Sequence, residues 1–212
     1  MSIDFWKQTW EKNEIGFHES KPNPLLVAYF KELNLVEGSR VFLPLCGKAL
    51  DIAWLLSKGY RVTGAELSKL AIKQLFIGLG VEPEITECGN VSRYSAKNID
   101  IFVGDIFDVS SDILGPVDAI YDRAALVALP EEMRKRYTKH ILEITDTADQ
   151  ILITFEYDQS LMDGPPFSLN SDEISRHYKD AYNLALLESI SVPGGLKGIC
   201  AATESIWLLK ND

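Results

Sequence analysis

The sequence predicts an α/β fold, with a mostly parallel β-sheet covered by helices on both faces. Short apolar segments alternate with amphipathic helical segments along most of the chain, a pattern typical of parallel sheets. One such unit, residues 41–66, combines a strand, a glycine turn, a helix and a second strand. The last two apolar segments, 184–192 and 202–209, have no clear helix between them, so they predict an antiparallel hairpin at one edge.

The composition indicates one ordinary globular domain. With 212 residues, 46% hydrophobic and 25% charged, the chain can bury a substantial core, and we expect a single domain over 1–212. Within it we expect an N-terminal helical cover at 1–36 and the core at 40–212. The net charge of −10 argues against a nucleic-acid partner, since such proteins need a basic face. No segment approaches the ~20 apolar residues of a membrane span, and the N-terminus lacks the pattern of a secretion signal.

The cysteines and histidines lack the spacing of a metal site. The three cysteines, Cys46, Cys88 and Cys200, form no pairing motif, which suits a reducing cytoplasm. The three histidines lie far apart, and no H-E-x-x-H motif occurs. We therefore expect a cytoplasmic protein without a catalytic metal.

The N-terminal segment is rich in aromatic residues. Residues 2–14 predict a helix in which Trp6 and Trp10, four residues apart, share one face. This helix either packs its rings on the core or covers a ligand site, where an indole would contact a cation. A second helix is predicted over 24–34, with Pro24 in its first turn.

A glycine turn and an acid define the candidate ligand site. The apolar strand that begins at Val41 leads into a turn at Gly47, and a helix follows. The second strand, 62–66, ends on Glu66, nineteen residues after Gly47. In nucleotide-binding units of this plan, the turn lets the backbone approach the ligand, and the acid accepts hydrogen bonds from ribose hydroxyls.

The phosphate-binding motifs that usually accompany this plan are missing. Neither G-x-G-x-x-G nor G-x-x-x-x-G-K-[ST] occurs in the chain. An acid without a phosphate cradle fits an adenosine ligand without phosphates, of which S-adenosylmethionine is the common example. The alternative is a buried turn that only caps the following helix.

The rest of the chain supplies further strands and helices in order. Ser68 predicts the start of a helix to about Gly78, and the polar stretch 80–98 predicts a loop with room for one extra strand pair. Strands are expected at 99–103, 117–121 and 150–155, and helices from Pro130 and over 170–179, before the final hairpin.

Turns or polar residues end the successive strands of this predicted sheet. They are Leu45–Lys48, Glu66, Asp105, Asp122–Arg123 and Glu156. Because ligands bind at the carboxyl ends of the strands in such sheets, we expect these residues near a site. Any single acid among them has the alternative role of a helix cap or of a residue in a solvated turn.

Arg123 and His140 each have more than one interpretation. Arg123 precedes an apolar run, so its guanidinium needs a partner. That partner is either Asp122 or Asp118, or an anionic group of a cofactor or substrate. His140 lies on the apolar face of a predicted helix and is expected to be a core histidine rather than a ligand.

Five motifs stand in a specific order along the chain. They are Phe5-Trp6-x3-Trp10, Ile15-Gly16-Phe17-His18, the segment 41–55 around Leu45-Cys46-Gly47-Lys48, Val62-x-Gly64-x-Glu66, and Asp122-Arg123-x-Ala125-Leu126-Val127-Ala128-Leu129. Together they resemble the thiopurine S-methyltransferase family, in its bacterial branch, over nearly the whole chain.

This resemblance implies a class I S-adenosylmethionine-dependent methyltransferase: a Rossmann-like three-layer sandwich whose seven-stranded sheet has an antiparallel last strand. It implies methyl transfer from S-adenosyl-L-methionine to the sulfur of a thiopurine or similar aromatic thiol, with S-adenosyl-L-homocysteine as product. The implied partner is a small-molecule thiol, and we expect a monomer. Alternatives are methylation of another soft acceptor, such as a selenium or tellurium compound, an aliphatic thiol or a halide, and a cofactor-binding protein without activity.

The resemblance also implies roles by position. Cofactor contacts match Trp10, Leu45, Glu66 and Arg123, an aromatic cover matches Trp6 and Phe17, and the pair that frames the adenine matches Asp105 and Ile106. Phe17 also faces the substrate, and Arg123 is the expected catalytic residue. Animal relatives carry a second substrate-side arginine in the C-terminal part. Here no arginine follows Arg176, and Lys197 is the available replacement.

Overall fold

The computed structural model describes residues 6, 8, 10, 12 and 19–211. Trp6, Gln8 and Trp10 are helical. The other residues of the predicted helix over 2–14, and Phe17, lie outside the described residues.

The described helices and strands follow the predicted order. The helices are α1 (Pro24–Tyr29), α2 (Leu50–Ser57), α3 (Lys69–Leu79), α4 (Ser111–Leu114), α5 (Glu131–Ile144) and α6 (Ser171–Tyr178). The strands are β1 (Arg40–Pro44), β2 (Arg61–Glu66), β3 (Glu84–Cys88), β4 (Val91–Ala96), β5 (Ile99–Val103), β6 (Ala119–Arg123), β7 (Gln150–Tyr157), β8 (Asn183–Ser191) and β9 (Ala202–Lys210).

All of these strands belong to one sheet with the order β3-β4-β5-β2-β1-β6-β7-β9-β8. Strands β5, β2, β1, β6 and β7 are parallel neighbours, as predicted. The final hairpin is also confirmed, because β9 lies antiparallel to both β7 and β8.

The predicted count of seven strands is wrong, since the sheet contains nine within the described residues. The additional pair is the hairpin β3–β4, which joins β5 in antiparallel pairing. It forms in the polar stretch 80–98, where the sequence predicts a loop with room for one extra strand pair. Its outer strand β3 is almost wholly exposed, so it carries little of the apolar pattern that marks a core strand.

Two apolar clusters cover the two faces of the sheet. Successive side chains of a strand point to opposite faces, and β1 shows this directly. Val41 and Leu43 join a cluster with apolar residues of α1, α2 and α3, whereas Phe42 joins a cluster with residues of α4, α5 and α6. The central parallel strands are therefore buried between two helical layers, as the sequence predicts.

Side-chain caps fix the starts of several helices. Ser68 Oγ accepts a hydrogen bond from the Ala71 N–H, and Asn170 Oδ1 accepts one from the Glu173 N–H. Asn23 Oδ1 accepts from two N–H groups at the start of α1. The helix predicted over 24–34 is shorter than expected, because α1 gives way to a 3-10 turn at Phe30–Leu33. No described helix has the length and apolar character needed to span a membrane.

Candidate active site

The carboxyl ends of the parallel strands bring the predicted polar residues to one edge of the sheet. Glu66 is the last residue of β2, Asp105 follows β5, and Asp122 and Arg123 end β6. Glu156 is a correction to the predicted series. Strand β7 continues to Tyr157, and Glu156 lies exposed within it, opposite Thr203 of β9.

Two neighbouring turns at this edge hold non-glycine residues in the left-handed region. Leu45, directly after β1, has a φ of 47°, and Ala124, directly after β6, has a φ of 61°. Strands β1 and β6 are adjacent, so the two turns lie side by side. A residue held in such a conformation costs about 1–3 kcal/mol, and residues of this kind are concentrated at ligand sites.

The Glu66 carboxylate ties the glycine turn to the end of β2. Glu66 is 6% exposed. Its Oε2 accepts a hydrogen bond from the Gly47 N–H at 2.8 Å, and its Oε1 accepts one from the Ser68 N–H at 2.7 Å. Burial raises the pKa of Glu66, while hydrogen bonds from backbone N–H groups oppose the rise. An ionised carboxylate accepts up to about four hydrogen bonds in all, so beside the backbone N–H groups of Gly47, Leu67 and Ser68 the Glu66 carboxylate retains capacity for a ligand hydroxyl.

The Trp10 indole lies against the glycine turn. A Cβ atom added to Gly47 would lie 3.1 Å from Cζ2 and 3.3 Å from Cη2 of Trp10. Gly47 also has a φ of 52°, which glycine adopts more readily than other residues. The turn therefore needs glycine both for its conformation and for the close approach of the ring.

The turn after β5 is held by a cap and by a histidine. Asp105 Oδ1 accepts a hydrogen bond from the Phe107 N–H at 3.0 Å. The buried Ile106 places its carbonyl oxygen 2.8 Å from Nε2 of His140 on α5. This contact requires the proton on Nε2, because a carbonyl only accepts. His140 is half-buried against the ring of Phe107, in line with a structural role.

Arg123 lies in a network of carboxylates that the sequence did not predict. Its side chain is 11% exposed; Nη2 lies 2.7 Å from Glu19 Oε1, and Nη1 lies 3.5 Å from Asp51 Oδ2. The prediction of Asp122 or Asp118 as its internal partner is wrong. Asp118 instead accepts from the backbone N–H of Arg40 at the amino end of β1, away from Arg123 at the carboxyl end of β6.

Sequence reasoning missed the groups that surround this arginine. Asp51 is buried at the start of α2 and accepts from the Asn23 N–H at 2.7 Å and the Tyr121 hydroxyl at 3.1 Å. Asn23 in turn donates through Nδ2 to Glu204 of β9 at 3.0 Å. Burial raises the pKa of Glu204, and the charges of Glu19 and Asp51 add to this rise. Asp51 is the one acid in the otherwise mostly apolar sequence of α2, and this contrast is the feature that could have marked it as a functional candidate.

Asp122 has a structural role rather than a ligand role in the described contacts. It is fully buried. Its Oδ1 accepts from the Leu126 N–H at 3.1 Å, and its Oδ2 accepts from the Tyr137 hydroxyl at 2.7 Å. Burial raises the pKa of Asp122 from 3.8 to about 6, although these hydrogen bonds lower it in part. Asp122 thus anchors the turn that follows Arg123.

Lys197 lies in the loop that joins β8 to β9. Its exposed ammonium donates a hydrogen bond to the Pro165 carbonyl at 2.6 Å. The contact connects this loop to the loop around 163–166. The structure therefore brings together Glu66, Leu45 and Trp10 around one turn, and places Lys197 between two loops.

The chain is similar in sequence to a known family over its full length. The sequence model described as thiopurine S-methyltransferase matches residues 1–212. A thiopurine S-methyltransferase of Xanthobacter autotrophicus is 54% identical over 211 residues, covering 99% of each chain. One of Teredinibacter turnerae is 51% identical over 212 residues, covering 100% of this chain and 99% of the relative.

Solved structures share the fold at low sequence identity. The 1,6-didemethyltoxoflavin-N1-methyltransferase of Burkholderia thailandensis, with bound S-adenosylhomocysteine, gives a TM-score of 0.66 at 15% identity, covering 99% of this chain and 86% of the other. The magnesium protoporphyrin IX methyltransferase of Synechocystis, also with bound S-adenosylhomocysteine, gives a TM-score of 0.65 at 14% identity. The match covers 99% of this chain and 97% of the other. Both likenesses concern the fold alone.

Proposed function

The chain belongs to the thiopurine S-methyltransferase family and is a methyltransferase; we propose that it methylates the sulfur of a thiopurine or similar aromatic thiol, with S-adenosyl-L-methionine as methyl donor. The observation that carries the proposal is the position of Glu66. A buried carboxylate ends β2, faces the glycine turn after β1, and keeps acceptor capacity for a ligand hydroxyl. No phosphate-binding motif accompanies it.

The residues of the carboxyl edge fit an adenosine ligand. We assign the ribose hydroxyls to Glu66 and the adenine to the turn of Asp105 and Ile106. Because Gly47 has no side chain, the Trp10 ring can lie against the turn and close it. Leu45 lines the same turn, and Trp6 and Phe17 complete the proposed aromatic cover. When bound, the cofactor supplies a methyl group on a sulfonium.

Methyl transfer to sulfur needs an aligned, ionised acceptor more than a base. An aromatic thiol of low pKa is largely ionised at neutral pH, and the thiolate is the nucleophile. The protein then has to hold the acceptor in line with the methyl group and exclude water, which contributes up to about 7–11 kcal/mol in favourable cases.

Arg123 is the proposed electrostatic contact for the thiolate. Of its two described carboxylate partners, Asp51 is buried, whereas the Glu19 side chain is 46% exposed. We therefore propose that an anionic acceptor takes the place of Glu19 while Asp51 keeps the guanidinium oriented. Lys197 is the proposed second cation, since its loop is the region where animal relatives carry an arginine.

The decisive experiment is an assay of methyl transfer from labelled S-adenosyl-L-methionine to a thiopurine. We expect Arg123→Ala to lower kcat/KM by about tenfold or more, and Arg123→Lys to retain more activity because Lys keeps the charge beside Asp51. The matched control is Arg176→Ala, which removes an exposed arginine of α6 and should leave the kinetics unchanged.

Two results would contradict the proposal. If the wild-type protein binds the cofactor but methylates no thiol in a panel of thiopurines and thiophenols, the acceptor class is wrong. If Arg123→Ala matches the wild type in kcat/KM while its fold is intact by circular dichroism, Arg123 has no part in the reaction.

A further inference from the structure

A row of charged side chains crosses four neighbouring strands at the amino ends of the parallel strands, opposite the candidate active site. Arg40 of β1 is the register partner of Arg61 of β2, and Asp100 of β5 is the partner of Ser95 of β4. Asp100 is also paired with Thr63, two residues after Arg61. Since residues two apart on a strand share a face, these side chains lie on the same side of the sheet.

These residues line a cleft of about 310 Å³, here called the arginine cleft. Its lining comprises Arg40, Arg61, Val62, Arg93, Ser95, Ala96, Asn98, Ile99 and Asp100. Three guanidinium groups and one carboxylate thus face one cleft in a chain whose net charge is −10. A volume of this size lies at the lower end of the range for small-molecule sites.

The single carboxylate of the cleft is already engaged. Asp100 Oδ1 accepts hydrogen bonds from Arg93 Nε at 2.9 Å, from Arg93 Nη2 at 2.7 Å and from Ser95 Oγ at 2.7 Å. Its other oxygen lies 3.8 Å from Arg40 Nη2. Asp100 therefore offsets one positive charge and holds the Arg93 guanidinium in place, while the Arg93 side chain remains 43% exposed.

Arg61 supplies a positive charge that no described carboxylate pairs with. Its side chain is exposed, and within residues 19–211 it makes no hydrogen bond or ion pair. The Arg40 side chain, by contrast, is only 13% exposed, and it donates through Nη1 to the carbonyls of Leu114 and Pro116. The lining of the cleft thus has an excess of two positive charges, and its more exposed guanidinium groups are those of Arg61 and Arg93.

We infer that the arginine cleft binds the phosphate group of a small phosphomonoester, with Arg61 and Arg93 as its contacts. The planar guanidinium fork matches the oxygens of a phosphate, and a phosphate dianion matches an excess of two positive charges. The cleft is larger than an isolated phosphate needs, so it accommodates an organic group. Ser95 and Asn98 supply polar groups in the rest of the lining.

The test is isothermal titration calorimetry of the full chain with glycerol 2-phosphate and with inorganic phosphate, in a buffer of low ionic strength. We expect saturable binding of both, tighter for the ester. Arg61→Ala should weaken binding by about tenfold or more, and Arg61→Glu should abolish it. Arg176→Ala, which removes an exposed arginine outside the cleft, should bind like the wild type.

The result is independent of the methyl-transfer reaction. Arg61 lies at the amino edge, so Arg61→Ala should leave methyl transfer to a thiopurine unchanged, and that assay also reports that the variant is folded. Absence of saturable binding up to tens of millimolar would overturn the inference. Equal affinity of the wild type and Arg61→Glu would do the same, and binding of inorganic phosphate alone would overturn the assignment of an ester.

Discussion

Asp122 shows how one buried carboxyl makes stability depend on pH. Its pKa is raised from 3.8 to about 6, with burial as the largest cause. The folded protein therefore binds more protons than the unfolded chain between these values, and the free energy of unfolding falls as the pH rises through this window. The difference between the two pKa values corresponds to about 3 kcal/mol of stability, which is present below pH 3.8 and lost above pH 6.

We expect Asp122→Asn to flatten this part of the stability curve. The asparagine carbonyl can still accept from the Leu126 N–H, and its amide can donate to the Tyr137 oxygen. The measurement is the free energy of urea unfolding from pH 4 to pH 7 for both proteins. Glu66 and Glu204 also have raised pKa values, so the informative quantity is the difference between the two curves. Parallel curves would show that Asp122 is not the titrating group.

Among the site residues, those whose position depends on local sequence could be predicted, and those that depend on tertiary contacts could not. Glu66 was predictable because its position depends only on the local order of strand, turn, helix and strand. The partners of Arg123 were not. Asp122 is its neighbour on one strand, and adjacent strand residues point to opposite faces. Asp51 and Glu19 reach Arg123 from other elements, through the packing of α2 and the N-terminal segment on the sheet.

At the scale of one element, Gly64 explains how closely β2 approaches the glycine turn. A Cβ atom at Gly64 would lie 2.9 Å from Cys46 Sγ, 2.9 Å from Ile101 Cδ1 and 3.2 Å from the Leu43 carbonyl oxygen. We expect Gly64→Ala to lower the free energy of unfolding by about 1–3 kcal/mol, because a packed core resists an added methyl group.

Gly78 is the matched control for this change. It lies exposed in α3, and a Cβ atom there would meet no atom within 4 Å. Gly78→Ala should stabilise the protein by up to about 1 kcal/mol, since alanine is the better helix former. Urea unfolding of both variants measures the contrast. Equal stabilities would mean that the core around Cys46 has room for a methyl group.

The elements were predictable to the extent that their patterns are local. Strand β1 carries a continuous apolar run and β5 a nearly continuous one, and Ser68 and Asn170 mark helix starts through their own side chains. The hairpin β3–β4 lacks a continuous apolar run, and its formation depends on the pairing of β4 with β5. Strand β7 is longer than predicted because β9 pairs with it from Gln150 to Tyr157, which the sequence of β7 alone does not specify.

At the scale of the whole molecule, the sheet separates two edges with different chemistry. The carboxyl edge holds Glu66, as well as Arg123 with its partners Glu19 and Asp51. The amino edge holds the arginine cleft. A mostly parallel sheet produces this separation, because all carboxyl ends of its parallel strands meet on one side. A ligand at one edge can therefore be tested without disturbing the residues of the other.

Cofactor binding should stabilise the entire fold and should depend on Glu66. A ligand of the folded state at one hundred times its Kd adds about 2.7 kcal/mol to the free energy of unfolding. For a chain of this size that corresponds to a rise in Tm of roughly 5–11 °C. We expect S-adenosyl-L-homocysteine to produce such a rise in the wild type. In Glu66→Gln, loss of an acceptor oxygen should weaken binding by about tenfold, which removes about 1.4 kcal/mol of that stabilisation.

The Tm shift should be taken as the difference between the ligand-bound and ligand-free forms of each variant. Glu66→Gln also leaves the Gly47 and Ser68 N–H groups to share one acceptor oxygen, so its ligand-free Tm will itself change. Arg61→Ala is the control at the opposite edge and should show the full shift. A shift in Glu66→Gln as large as that of the wild type would mean that the carboxylate serves only to hold the glycine turn, and that the ribose is bound by other residues.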